Sequence, residues 1–346
     1  MENSASNPPI TQALQAQAMQ LLPIINQELD AQDFSEIVHQ RIAQQSTEQT
    51  QGQHAQVVKT QHIDKTYFQG LTRAQHPQFG SVMIKWQLSD GAYTIAADLT
   101  HEADILAAVN ASSKIKDNAI VPPLLAHHCV NVQILEQLQQ LVIVVMPYYP
   151  NGSLASQLTA SKHLSLIASQ KHHFITQAAY LIANLHQAGW LHNDIKPSNI
   201  LIKGSDDEWP VDTMSNSLTP RLLLTDFALS QRMTVANSQP NPAGTPAYLA
   251  PERWQRQSAT VQSDIYAFGV MMVEILTGKR PFQVNADSHD KSKAWAIQHC
   301  QQPIPMLSAE YSHYQCIVDK ALAKRVERRY QEIDKALIDL KLLENS

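Results

Sequence analysis

The chain has 346 residues, enough at roughly 150 residues per domain for two domains or one domain of two lobes, and its 44% apolar and 16% charged content is that of a globular protein. Thirty-one acidic against 26 basic residues give a formal charge of −5, which argues against nucleic acid as the main partner, because phosphate binding needs a basic face. Three scattered cysteines, Cys129, Cys300 and Cys316, exclude a disulfide framework and fit a reducing compartment.

The opening MENSASNPPI lacks the basic and apolar regions of a secretory signal. The longest strongly apolar run, Leu141 to Met146, is far short of the about 20 residues that cross a bilayer. The expectation is a soluble, cytoplasmic protein with no membrane partner. Residues 1–56 are rich in Gln and Ala and read as a helical extension and linker. Leu14, Ala18, Leu21, Leu22 and Ile25 have helical spacing, with Pro23 expected to kink or end the helix. Phe34, Ile37, Val38 and Ile42 repeat that spacing, and residues 44–56 read as the linker. The extension reads as an arm packed on the body, with docking of a partner as the alternative.

Residues 57–146 read as short strands plus one helix. Val82 to Trp86, Tyr93 to Ile95, Val132 to Leu135 and Leu141 to Met146 are strand-like, and His101 to Val109 has helical period. From about residue 152 the pattern turns helical, with long periodic segments over 167–187, 263–276 and 311–323. A small β-rich lobe followed by a larger helical lobe is an α+β architecture.

The segment Leu191-His192-Asn193-Asp194-Ile195-Lys196-Pro197-Ser198-Asn199-Ile200-Leu201 sets a carboxylate, an ammonium and a carboxamide close together. These are tools of phosphoryl transfer: a carboxylate to orient a hydroxyl and take its proton, a cation for the migrating oxygens, and an amide oxygen for a divalent metal. Further motifs follow in order. They are Asp226-Phe227-Ala228, the run GTPAYLAPE from Gly244 to Glu252, Asp264-Ile265-Tyr266-Ala267-Phe268-Gly269, EILTGKRPF from Glu274 to Phe282, and KRVERRY from Lys324 to Tyr330.

This series resembles the eukaryotic-type (Hanks-type) serine/threonine protein kinases over about residues 60–343. The resemblance implies a bilobal kinase-like fold: an N-lobe at 57–146, a hinge at 147–151 and a C-lobe at 152–343. It also implies a kinase using ATP and Mg²⁺ on protein Ser/Thr hydroxyls. Val82-Met83-Ile84-Lys85 is similar to the family's lysine strand, so Lys85 would hold the α- and β-phosphates. Glu102 would be its counter-carboxylate in preference to Asp104, because Ile105, Leu106 and Val109 then form a neighbouring apolar stripe. By the same resemblance Asp194 is the base and Lys196 contacts the transferred phosphate. Asn199 and Asp226 would ligate Mg²⁺. Met146 would stand at the hinge gate, with backbone near Pro147 and Tyr149 at the adenine. Thr245 would contact Asp194 and Lys196, Asp264 would brace the catalytic loop, and Glu252 would pair with Arg329.

The sequence departs from the pattern in three places. Aligning Ile63 to Gly70 with the family's glycine-rich loop puts Asp64, Thr66 and Gln69 where glycines are expected, a degenerate phosphate cradle. Asn193 replaces the arginine that reads an activation-loop phosphate, so the chain is of the non-RD type and phosphorylation of Thr234 or Ser238 is not expected to be obligatory. Ala228 replaces the third residue of Asp-Phe-Gly, which predicts a restricted flip of that segment. Residues 204–220 read as an inserted polar hairpin tip. His127-His128-Cys129 lacks a second ligand pair and does not read as a zinc site. A pseudokinase scaffold is the alternative function, and a small-molecule phosphotransferase the second; GTPAYLAPE argues against the latter.

Overall fold

The computed structural model describes residues 21–47, 65–89, 98–112, 119–134, 137–204, 220–234, 243–285 and 287–344. The chain divides into two compact units. One comprises residues 1–107 and 123–148, and the other residues 108–122 and 149–346.

The first unit is built on one antiparallel sheet. Its strands are β1 (Ser35–Thr47), β2 (Lys65–His76), β3 (Gly80–Ser89), β4 (Ala126–Ile134) and β5 (Gln137–Pro147), in the order β1-β2-β3-β5-β4. Among the described residues helix α1 covers 21–30 and includes Pro23, so the helix does not end there. Leu21, Ile25 and Leu29 of α1 and the following Phe34 are buried against Val82, Ile84, Trp86 and Leu88 of β3. A second helix, α2 (Leu99–Ser112), starts in this unit. The expected helix at 101–109 and the strands at 82–86, 132–134 and 141–146 are present.

Three expectations are corrected. Phe34 to Ile42 is not helical, because β1 begins at Ser35 and pairs with β2. The register shifts between Ser35 and Val38 and again between His39 and Arg41, and Glu36 has φ 49°. Such bulges push apolar residues off a strict period of two and imitate helical spacing. The boundary at 56/57 therefore falls between two paired strands, and residues 44–47, read as linker, lie in β1. Finally, Thr66, Gln69 and Gly70, aligned above with a glycine-rich loop, are strand residues and not loop residues. They lie in β2, paired with both neighbours in the case of Gln69 and Gly70, and the connection from β1 to β2 is residues 48–64, outside the described residues. Gly70 has a packing role instead: a Cβ there would fall 2.1 Å from the Trp86 ring. The proposed strand at 93–95 and Asp64 also lie outside the described residues.

The second unit is mainly helical. Its elements are α3 (Leu154–Gln157), α4 (Ala160–His163), α5 (Ala168–Gln187), β6 (Trp190–Leu191), β7 (Ile200–Lys203), β8 (Arg221–Leu224), β9 (Gln231–Arg232), α6 (Pro251–Trp254), α7 (Val261–Thr277), α8 (Lys291–Gln301), α9 (Gln315–Ala321) and α10 (Ile333–Glu344). Part of the expected helix at 311–323 is a 3-10 turn, Ala309–Tyr314, ahead of α9. Helix α7 is apolar on nearly all sides and buried from Ser263 to Val273, as a central helix must be. Residues 108–122 join this unit, with Leu224 N–H donating to Ile120 O at 2.8 Å. β7 and β8 pair antiparallel on either side of the insertion, whose residues 205–219 lie outside the described set. No helix among the described residues is long and apolar enough to cross a membrane.

Candidate active site

In the first unit strand alternation places the lysine that the sequence singles out. Val82, Ile84 and Trp86 are buried in the core beneath α1, so Lys85 falls on the opposite face of β3. There its Nζ donates to Glu102 Oε1 of α2 at 2.6 Å, and Glu102 is buried. Asp104, two residues on, is exposed. Helical period explains the choice: Glu102, Ile105, Leu106 and Val109 share the buried face of α2. Met146 is buried on β5, opposite Met83 of β3.

In the second unit the loop after β6 carries the densest polar cluster. Asp194 Oδ1 accepts from Thr245 N–H at 2.9 Å and from Thr245 Oγ1 at 2.7 Å. Asp194 Oδ2 accepts from Lys196 Nζ at 2.5 Å and from Asn199 Nδ2 at 3.0 Å. Lys196 Nζ also donates to Thr245 Oγ1 at 2.6 Å, which closes the cluster. Asn199 Nδ2 donates to Asp194 O as well, at 3.0 Å, so its amide nitrogen is committed and its Oδ1 meets only a 3.4 Å contact from Ser198 Oγ.

The backbone beneath is fixed by one buried carboxylate. Asp264 Oδ2 accepts from His192 N–H and Oδ1 from Asn193 N–H, each at 2.9 Å, and His186 Nε2 lies 2.9 Å from Oδ2. Burial works against the charge of Asp264, but the bonds from His186 and the backbone hold its pKa below the ordinary value. Asn193 adopts φ 66°, a left-handed conformation that Asn tolerates, and its Nδ2 donates to Leu229 O at 2.8 Å. A cavity of about 20 Å³ beside it has room for one water. Gly244 is required opposite: its φ is 139°, and a Cβ would meet Leu249 Cδ1 at 3.0 Å and Asn193 O at 3.3 Å.

The hairpin β7–β8 brings Asp226 toward Asn199. Ile200 pairs with Leu224, and Thr225 N–H donates to Asn199 O at 3.0 Å, which leaves Asp226 one residue beyond this bond. Asp226 has φ 68°, a strained setting for a non-glycine residue of the kind found at functional sites. Phe227 is fully buried with its ring 5.1 Å from His192. Ala228 is not among the residues of positive φ, so nothing in this conformation demands glycine there. Oxygen donors from a carboxylate and an amide oxygen held only by one long contact suit a hard divalent cation such as Mg²⁺.

Below the cluster, Glu252 and Arg329 form a buried bidentate pair, with Arg329 Nη1 to Glu252 Oε1 at 2.8 Å and Nη2 to Oε2 at 2.7 Å. Ser263 Oγ adds a bond to Oε1 at 2.7 Å. Tyr149 opens this unit half-buried, and burial pushes its phenol up to about 12. One participant had no local signal in the sequence: His186, which meets Asp264 from far along the chain. Glu274, which opens the EILTGKRPF motif but was given no role, accepts from Tyr248 OH at 2.5 Å.

Residues 103–338, about two thirds of the chain, match the family model for the protein kinase domain. The chain belongs to that family. The match begins one residue past Glu102, so the Lys85–Glu102 pair of this kinase domain rests on its own geometry. The kinase domain is 34% identical over 160 residues to the serine/threonine-protein kinase PknH of Mycobacterium tuberculosis, covering 45% of this chain and 23% of that protein. It is 32% identical over 178 residues to the serine/threonine-protein kinase PknB of the same species, covering 49% and 26%. The chain thus spans about a quarter of the length of these curated relatives. Its fold is also that of the Cydia pomonella granulovirus kinase PK-1, with a TM-score of 0.58 at 18% identity, covering 78% of this chain and 88% of that one.

Proposed function

We propose that this chain is a serine/threonine protein kinase that transfers the γ-phosphoryl group of ATP to protein Ser or Thr hydroxyls. The observation that carries this reading is the closed cluster of Asp194, Lys196, Asn199 and Thr245. One carboxylate accepts from four donors on three residues, so its position is preorganised, and in phosphoryl transfer position and charge do most of the work.

In the proposed reaction the substrate hydroxyl takes its place at Asp194, which orients it and accepts its proton. The hydroxyl oxygen bonds to the γ-phosphorus, the bond from that phosphorus to the bridging oxygen breaks, and ADP leaves. Lys196 neutralises charge on the transferred oxygens. Lys85, aimed by Glu102, holds the α- and β-phosphates, and Met146 and the backbone near Tyr149 face the adenine. Asn199 and Asp226 would hold Mg²⁺, which when bound draws charge off the phosphate oxygens. Thr245 beside Lys196 suits a Ser/Thr substrate. The departure at Asn193 supports the non-RD assignment: its side chain is committed to Leu229 O and offers no cation to a phosphate.

The test is transfer from γ-labelled ATP with Mg²⁺ to a generic protein substrate. Label should appear with the wild type and be absent with Asp194→Ala and Lys85→Ala. No transfer by the wild type, with nucleotide binding retained, would assign a scaffold role instead.

A further inference from the structure

Single exposed apolar side chains are ordinary on a protein surface. Two on the second unit stand apart. Leu164 and Met306 are the most exposed large hydrophobic residues among those described, at 86% and 81%, ahead of Leu138 at 66%. Both line the same open cavity of about 640 Å³. Its walls are the end of α4, the start of α5, the last turn of α7 with the segment after it, and the segment before α9. It shares no residue with the cavity at Asp194.

The cavity wall is cationic. Lys171 of α5 is nearly fully buried, and its Nζ donates to Leu276 O at 3.1 Å and Tyr311 OH at 2.8 Å. The first bond caps an open carbonyl at the C-terminus of α7, as does His163 Nε2 at 2.9 Å from Ile275 O. Those two bonds use two of the three donors of an ammonium. No carboxylate among the described residues pairs with Lys171 at contact distance; Glu310 acts on it only through space. Lys279 and Arg280 add two more charges to the lining, and Arg280 is shared with Glu274, whose carboxyl burial pushes up while the Tyr248 hydroxyl and Arg280 offset part of the rise. Glu310 is the one acid in the lining. Three cations against one carboxylate stand out in a chain of net charge −5.

We propose that this groove docks an acidic peptide segment of a partner protein, with a bulky apolar side chain laid against Leu164 and Met306 and carboxylates facing Lys171 and Lys279. The two apolar residues protrude at the rim rather than enclose a hole, which suits a segment laid across the surface more than a small molecule held within it. The charge excludes basic segments by repulsion. The docking site goes beyond the phosphotransfer reading and stands without it.

The test is fluorescence anisotropy on the full chain, without nucleotide, using a fluorescein-labelled Glu-Glu-Leu-Phe-Glu-Glu peptide. Saturable binding that weakens as salt is raised is expected. The double variant Leu164→Ser/Met306→Ser should bind about tenfold more weakly and Lys279→Glu about three- to tenfold more weakly. Both should keep the wild-type melting temperature, because these side chains are exposed. Asp194→Ala should bind as the wild type does, which separates this site from the fate of the kinase reading. The proposal is overturned if the peptide does not bind, or if peptides with Lys for Glu or Ala for Leu-Phe bind equally. Undiminished binding by the double variant overturns it too. Sedimentation showing a dimer dispersed by Met306→Ser would overturn it in favour of a second copy of the chain.

Discussion

Thr245 donates twice to one oxygen of Asp194, from its backbone N–H at 2.9 Å and from its hydroxyl at 2.7 Å. That leaves the other oxygen to Lys196 and Asn199. A charge-assisted hydrogen bond contributes about 1.5–3 kcal/mol, or roughly 10–100-fold in rate where it orients a catalytic group. Thr245→Val should therefore lower kcat by that factor with little change in the KM for ATP, and Thr245→Ser should restore most of it. Steady-state kinetics that leave Thr245→Val at the wild-type kcat would remove the hydroxyl from the account.

Asn193 occupies a left-handed conformation and spends its side-chain amide on Leu229 O. No guanidinium stands there to be satisfied by a phosphate on the activation segment. A Thr234→Ala/Ser238→Ala double variant is expected to keep its transfer rate within about threefold of wild type. Complete loss of transfer in a labelled-ATP assay would show that phosphorylation is obligatory after all.

Helix α1 belongs to the core of the sheet unit. Ile25, Leu29 and Phe34 are buried there, and each contributes about 1.5–3 kcal/mol on burial. Together they rival the 5–15 kcal/mol that typically separates a folded domain from its unfolded chain. Removing residues 1–34 should give an insoluble or markedly less stable protein, and removing 1–56 takes β1 as well. Thermal melts and soluble yield would measure this; a truncation that melts with the full chain would mean α1 is dispensable.

Acid should weaken the second unit through two buried groups. Burial lowers His299 to about 3, so between about pH 6.5 and 3 the unfolded chain binds a proton that the folded chain refuses. Stability then falls by about 1.4 kcal/mol per pH unit across that window. Burial disfavours the Glu252 carboxylate, but its bonds from Arg329 and Ser263 prevail and lower its pKa. Its contribution is present above the unfolded value of about 4.3 and is lost as pH falls through the folded one. Urea midpoints against pH should thus decline below 6.5, and His299→Phe should flatten the limb between about 6.5 and 4. An unchanged slope in that variant would assign the decline to other groups.

How much of this was legible follows the spacing of the residues. Asp194, Lys196 and Asn199 stand within six positions, so their side chains converge through one loop and the sequence displays the cluster directly. Glu102 was legible because the helix period separates it from exposed Asp104. The strand β1 was not, because two bulges moved Ile37, Val38 and Ile42 out of alternation. Without β1, the stretch from Ile63 to Gly70 aligns with a glycine-rich loop, whereas Gly70 lies in a strand and lets Trp86 lie against it. His186 meets Asp264 by tertiary packing alone.

The most direct test of the central claim compares binding with turnover in one variant. Asp194→Asn should bind Mg-ATP within about threefold of the wild type, since Asp194 is assigned to the hydroxyl rather than the nucleotide, while transfer to protein Ser or Thr falls by at least about a hundredfold. Transfer at the wild-type rate in that variant, or loss of nucleotide binding and turnover together in a correctly folded protein, would contradict the role assigned to this carboxylate.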